Sequence, residues 1–452
     1  MAMFSLRSLG FGLPRVFGGG SSASRIDLPS VTVHDIEENP EKRARTLKHI
    51  IKANHINHSV IYHNLQFHNH APHILGSAYI LGASADQLND IYDSESNELE
   101  PWQDAPGEIS KYDWRDFLGK RNYQRAFIDF FEDQLVQEGY DWRALVDEFL
   151  YEGKEPLINN IICGRKRCPL LSPYKQTTDV PVSVAHGLIH MGYAFELSSR
   201  TLAIEALTLV TCFYDRMHIY LDDPSYTKPA PWTSTSPLEI LEKLAKDSRL
   251  YSMFSSPGDH NMAPLLEDKK KEEIMLEYWN SLSVRDPKAQ FEAGQAAATA
   301  ILVGSHESGE QYDFFLCHLL TSSHAVRIML PYIPAKYHIP LVRQWWLFVV
   351  VAYIMQLRPA IDTKKIEEVD VAGKTWKVVD DRAVNGRHAT DAHYVKACRA
   401  MKEAADTWGD KDQYYLKAAL KFSEEFDGWG GFSPMSEEEA QDFAGRVGFR
   451  NE

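Results

Sequence analysis

VSVAHGLIHMGYAFEL, residues 182–197, carries two histidines four positions apart, His186 and His190. On a helix that spacing puts both rings on one face. The rest of the face is apolar: Val182, Ile189, Tyr193 and Leu197. Two buried imidazoles cost free energy unless each nitrogen finds a partner. A metal ion is one such partner, since imidazole is the commonest protein ligand for zinc, iron and copper. Carbonyls and water serve equally well, and the pair alone leaves both readings open.

Outward from this stretch the chain reads as mostly α: one large helical domain of long packed helices with few short strands. Apolar residues recur at helical spacing over 123–151, 182–221, 265–282, 312–329, 341–357 and 392–407. Ser84 with Gln87, Ser236 with Glu239 (Pro237 between them) and Ser436 with Glu439 have the pattern of capping boxes at helix starts. The best extended segment is 374–379, KTWKVV. Residues 222–236 and 255–264 read as surface loops. No period of twenty to fifty residues repeats. Residues 1–30 are expected to be a flexible leader, and 31–452 a helical domain without a clean internal boundary.

The 452 residues are 44% hydrophobic and 25% charged, the balance of a soluble globular protein. The formal charge of −15 is spread along the chain, which argues against nucleic acid or an anionic membrane as partner. The longest apolar run, near Trp345, reads as too short to span a bilayer. Five cysteines, with Cys163 and Cys168 bracketing a basic turn, offer neither a disulfide framework nor a zinc finger. A reducing, cytoplasmic setting is expected. The Arg-, Ser- and Gly-rich leader, with no acid before Asp27, carries only a weak organelle-targeting signal.

The remaining histidines cluster. Residues 54–73, NHINHSVIYHNLQFHNHAPH, hold His55, His58, His63, His68, His70 and His73. His318 and His324 lie in an apolar stretch, on different helix faces, and His388 and His393 follow later. His393 reads as a group touching substrate or backing a ligand. Each histidine of the 54–73 tract taken singly is best read as an ordinary polar residue of a loop leading into a helix; the tract as a whole is not. No Glu precedes a His by three positions, and HExxH, HxD, HxE, GxGxxG and GxSxG are all absent. These gaps speak against a di-iron carboxylate bundle, a zincin, a carboxylate facial triad, a dinucleotide fold and a nucleophile elbow. Candidate chemistry therefore rests on histidines without a carboxylate partner. An ion held by neutral imidazoles alone keeps its full charge and favours an anionic ligand such as a phenolate.

The order of the segments 67–84 (FHNHAPHILGSAYILGAS), 186–207 (HGLIHMGYAFELSSRTLAIEAL), 314–326 (FFLCHLLTSSHAV) and 391–400 (DAHYVKACRA) resembles the questin oxidase-like family of fungal secondary metabolism. The resemblance is nearest to its branch of non-haem iron dioxygenases that open an anthraquinone in beticolin-type biosynthesis. It implies oxygen-dependent ring opening of a polycyclic aromatic polyketide, with O2 as co-substrate. It also implies Fe(II) held by four histidines and a lysine carboxylated by carbon dioxide. Carried onto this chain, the candidate metal ligands are His58, His73, His186, His190, His318 and Lys377, one or more of which is in excess, with His70 a close alternative to His58 and His73. His186, His190 and Lys377 are the candidate catalytic groups.

Lys377 is chosen because bulky apolar residues flank it, and burial exposes the neutral amine that reacts with carbon dioxide. Read without the resemblance, it is an ordinary exposed lysine. Two other readings stay open: an NADPH-dependent Baeyer–Villiger-type oxygenase without bound flavin, and a non-catalytic helical polyketide-binding protein. The oligomeric state is not readable from the sequence.

Overall fold

The computed structural model of the protein describes residues 25–162 and 184–433. Cys163, Cys168, Val182, the Ser436–Glu439 cap and most of the expected leader fall outside these residues. Within the remainder of that leader, Ile26 and Leu28 are buried in the core, and the Ile26 N–H donates to His338 Nδ1 at 3.0 Å. Eighteen α-helices against four two-residue strands among the described residues make this a single helical domain.

The apolar periodicity translates into helices, broken where the backbone turns left-handed. The stretch 123–151 becomes Gln124–Gln137 and Trp142–Tyr151, parted at Gly139 and Tyr140, with φ of 64° and 68°. The stretch 182–221 yields His186–Glu196 and Arg200–Cys212, parted at Ser198 with φ 52°. Ser199 then caps the second helix by accepting from the Leu202 N–H. Phe314–Met329, His338–Met355 and Ala392–Trp408 follow the expected spans closely.

Two sequence expectations need correction. Residues 374–379 are not extended: Trp376 starts a helix that runs to Asn385. The apolar run near Trp345 is also longer than expected. Ala335–Met355 is long and apolar enough to cross a membrane by length and composition, but 83% of that window is buried inside the protein, where it serves as the core helix.

Four helices converge on one place: Ala71–Leu81, His186–Glu196, Phe314–Met329 and Ala392–Trp408. Every residue of His186–Glu196 is buried, so this helix forms the axis of the assembly. Its glycines let neighbours approach. A Cβ at Gly187 would stand 2.8 Å from Val210, and one at Gly192 would stand 3.3 Å from Ala325. The same device operates on Ala71–Leu81, where a Cβ at Gly76 would lie 2.8 Å from the Tyr193 ring. Tyr193 cannot easily retreat, because its hydroxyl is hydrogen-bonded to Ser77 at 2.5 Å.

Two small devices fix the ends of these helices. An antiparallel pair, Ile61–Tyr62 with Phe67–His68, turns through His63, Asn64 and Leu65, all at positive φ. Gln124 clamps it by hydrogen-bonding both the N–H and the carbonyl of Ile61, at 2.9 and 2.8 Å. At the other end of the chain, Trp429–Gly430 pairs in parallel with Tyr312–Asp313. Asp313 caps Phe314–Met329, and Asp391 caps Ala392–Trp408 while accepting from Trp429 Nε1 at 2.8 Å.

Gly76→Ala should therefore wedge the first of the four helices off the axis. The expected cost is roughly 1–3 kcal/mol of overpacking, read as a lower midpoint in chemical denaturation. An unchanged midpoint would show that the Ala71–Leu81 contact with Tyr193 is slack.

Candidate functional site

The convergence buries a nest of imidazoles. His68 ends the hairpin, His70 precedes the helix whose first turn carries His73, and Pro72 sits at that helix's start. The Asn69 side chain holds this corner, donating to Asn54 Oδ1 and Ser59 O and accepting from the Ala71 N–H. His186 and His190 project from the axis, His318 from Phe314–Met329 and His393 from Ala392–Trp408. His68 stacks on His186 with ring centroids 4.0 Å apart. His70 Nε2 lies 2.7 Å from His186 Nε2. Ring nitrogens of His70, His186 and His393 all fall within 4.8 Å of one another. His318 joins them, its centroid 4.8 Å from that of His393 and 5.3 Å from that of His186.

Of the candidates read from the sequence, His73, His186, His190 and His318 are brought together here. His58 is not. It caps the end of Lys42–Asn57, half-buried, with Nδ1 3.5 Å from the Tyr92 hydroxyl. His70 and His68 occupy the place expected of it, because the hairpin turns the chain between 58 and 68. His190 has both ring nitrogens engaged, Nδ1 by His73 Nε2 at 3.0 Å and Nε2 by Glu205 at 2.7 Å. Lys377 also falls away. It is exposed in the first turn of the Trp376–Asn385 helix, so the burial for which it was chosen is absent.

The buried lysine is Lys396, one helical turn after His393 and 2% exposed. Among the described residues its Nζ has no hydrogen-bond partner. Burial lowers its pKa to about 8. It lines a small cavity with Thr321 and His324, whose Oγ1 and Nε2 also lack partners among the described residues. The sequence held a signal for it: Lys396 is a charge inside the largely apolar stretch YVKACRAM, which also holds Arg399, three positions after His393. Glu205 carries the same signal, standing alone in TLAIEALTLV. Glu196 pairs with Arg399, while Arg200 lies over the Tyr140 ring.

Electrostatics keep the nest uncharged. Burial, then Lys396, holds the His70, His73 and His393 imidazoles well below their ordinary range. Burial, then His68 and His70, does so for His186. His318 falls to about 3, again by burial and then Lys396. Its Nδ1 donates to the Phe314 carbonyl at 2.8 Å, which leaves Nε2 as the lone-pair nitrogen. That Nε2, His393 Nε2 and His73 Nδ1 are buried without partners among the described residues. Neutral imidazoles with unspent nitrogens are the protonation state that a metal ion requires, so the residues present fit an ion of the zinc, copper or iron type.

Behind His190 the charge is inverted. Burial would raise the Glu205 carboxyl, but hydrogen bonds from His190 and His55 hold it down at about 2. Burial would lower His55, but Glu132 and Glu205 raise it to about 9. A histidine raised in the folded state stabilises fully below its ordinary value of 6.5, and the contribution is lost as pH climbs through the folded value. The stability lost in His55→Leu should therefore be about 2–3 kcal/mol larger at about pH 6 than at about pH 9.5. A pH-independent difference between the two melting curves would remove the His55 ion pair from the account.

The chain is similar to known proteins over most of its length. A family model described as questin oxidase-like matches residues 67–401. The chain is 23% identical over 409 residues to the questin oxidase of Aspergillus fumigatus, covering 84% of this chain and 86% of that protein. It is 21% identical to a Baeyer–Villiger oxidase of Pestalotiopsis microspora, covering 85% and 87%. Against a Baeyer–Villiger monooxygenase of Aspergillus aculeatus it is 22% identical, covering 78% and 77%. Relatives named as oxidases support an oxidoreductase. The matched span takes in His73, His186, His190, His318 and His393 and covers most of the sequence: the chain belongs to the questin oxidase-like family.

Proposed function

We propose that the protein is an iron-dependent oxygenase that opens an anthraquinone-type polyketide ring with O2. The observation that carries this reading is the cluster of neutral imidazoles, His70, His186, His318 and His393, with the buried, unpartnered amine of Lys396 near enough to act electrostatically on each. These four histidines would hold the ion. Lys396 replaces Lys377 as the lysine that takes up carbon dioxide. Its neutral amine attacks the carbon of CO2: a C–N bond forms, one C=O π pair moves onto oxygen, and one N–H proton passes to water, giving an anionic carbamate. Thr321 Oγ1 and His324 Nε2, in the same small cavity, are available to bond that anion. A bound ferrous ion would supply one-electron chemistry towards dioxygen.

The protein's own groups set the rest. His70 is the partly exposed member of the nest, so substrate meets the histidines there. Phe314, also partly exposed, lies 4.6 Å from His393 and 5.2 Å from Phe432 between ring centroids, a surface on which a flat polycycle can stack. The neutral imidazoles leave an ion's charge undiminished and so favour a substrate bound as its phenolate. The Baeyer–Villiger names of several relatives support a second form of this reading, in which NADPH is consumed without a bound flavin.

Protein purified without chelator should contain about one iron per chain by elemental analysis. His186→Ala should lose it while keeping its helical circular dichroism. Lys396→Leu should lose anthraquinone turnover, and the parent, but not this variant, should show a carbamate carbon when equilibrated with 13C-bicarbonate. Metal-free parent protein that still turns over with NADPH would replace the iron reading with the Baeyer–Villiger one. No metal and no turnover would leave a binding protein.

A further inference from the structure

A line of hydrogen-bonded side chains runs from the surface to the edge of the histidine nest. Glu132 Oε1 is 3.2 Å from His55 Nε2, and His55 Nδ1 is 2.8 Å from Glu205 Oε1. Glu205 Oε2 is 2.7 Å from His190 Nε2, and His190 Nδ1 is 3.0 Å from His73 Nε2. The five groups come from five different helices, so no local backbone geometry forces the alignment. Exposure falls steadily along it: the side chains of Glu132, His55 and Glu205 are 47%, 10% and 1% exposed. Both ring nitrogens of both inner histidines are spent within the line. A buried carboxylate needs compensation, but one histidine would provide it; a second, itself tied to a half-exposed acid, adds a continuous path.

We propose that Glu132, His55, Glu205 and His190 form a proton relay between solvent and Nε2 of His73. A proton taken from water at Glu132 enters His55 at Nε2 and leaves from Nδ1. It crosses the Glu205 carboxyl, received on one oxygen and released from the other after a turn of the group. It enters His190 at Nε2 and leaves from Nδ1 to His73. One proton enters and one is delivered, no electrons move, and the groups regain their charges when the rings and carboxyl reset. Such a path lets an enclosed site exchange protons with water without admitting water itself. The use of these protons in oxygen chemistry rests on the oxygenase reading; the conduction does not.

The test is solvent exchange of the ring N–H of His190, followed by NMR in the full-length protein labelled with ring-15N histidine. His55→Leu and Glu132→Gln should each slow that exchange about tenfold or more, as loss of a positioned acid–base partner does, while amide protection along His186–Glu196 is unchanged. A merely structural role predicts the opposite, since loosening the wall speeds exchange. Unchanged or faster His190 exchange in Glu132→Gln would overturn the relay. That half-exposed position keeps the test decisive even where His55→Leu fails to fold. Slowed exchange in a protein without iron or turnover would support the relay and remove only the oxygenase reading.

Discussion

Desolvation of the Lys396 amine and the imidazoles around it is the constraint on which the rest of this structure depends. A lysine buried this deeply gives up part of its affinity for a proton, and neighbouring histidines that cannot afford charge give up theirs. The result is a core holding many nitrogen lone pairs and little charge. Such a region is expensive to fold around, and the four converging helices show how the expense is contained. Each contributes an otherwise apolar face, and small residues at the crossings keep the packing close.

The carboxylate absent from every sequence motif is present in space. Glu205 sits behind His190 rather than inside the nest, shared with His55 across two helices that are distant in sequence. Placing the negative charge one residue back lets it orient an imidazole without neutralising the centre. The same division between orienting and reacting groups is seen at His318, whose ring is aimed by the Phe314 carbonyl one turn earlier.

Much of this was legible in the sequence because helical spacing is a local rule. His186 and His190 share a face by their interval alone, and the helices around 314–329 and 392–408 follow from apolar period. The N-terminal histidines were harder. Six of them lie within twenty residues, and only the turn through three left-handed residues decides that His68, His70 and His73 face inward while His58 does not. Lys377 was misplaced for a related reason: flanking apolar residues measure burial only when the secondary structure is known. Read as a strand, KTWKVV hides its lysine; wound into the start of a helix, it turns the same lysine to solvent. Glu205 was detectable as a lone charge in the apolar stretch TLAIEALTLV, a pattern that points to burial whichever face turns inward, whereas Lys396 shares its helix with Arg399 and Lys402 and was harder to single out. The family match holds at just over one fifth identity to the oxidases that the chain resembles.

The short pairing of Trp429–Gly430 with Tyr312–Asp313, together with the bond from Trp429 to Asp391, has a consequence for how the protein is made. These contacts tie the starts of the His318 and His393 helices to almost the last part of the described chain. During synthesis the earlier helices can collapse as they emerge, but the imidazole nest lacks its final clamp until residue 430 has cleared the ribosome. A nascent chain stalled before that point would carry the histidines without the clamp that Trp429 supplies.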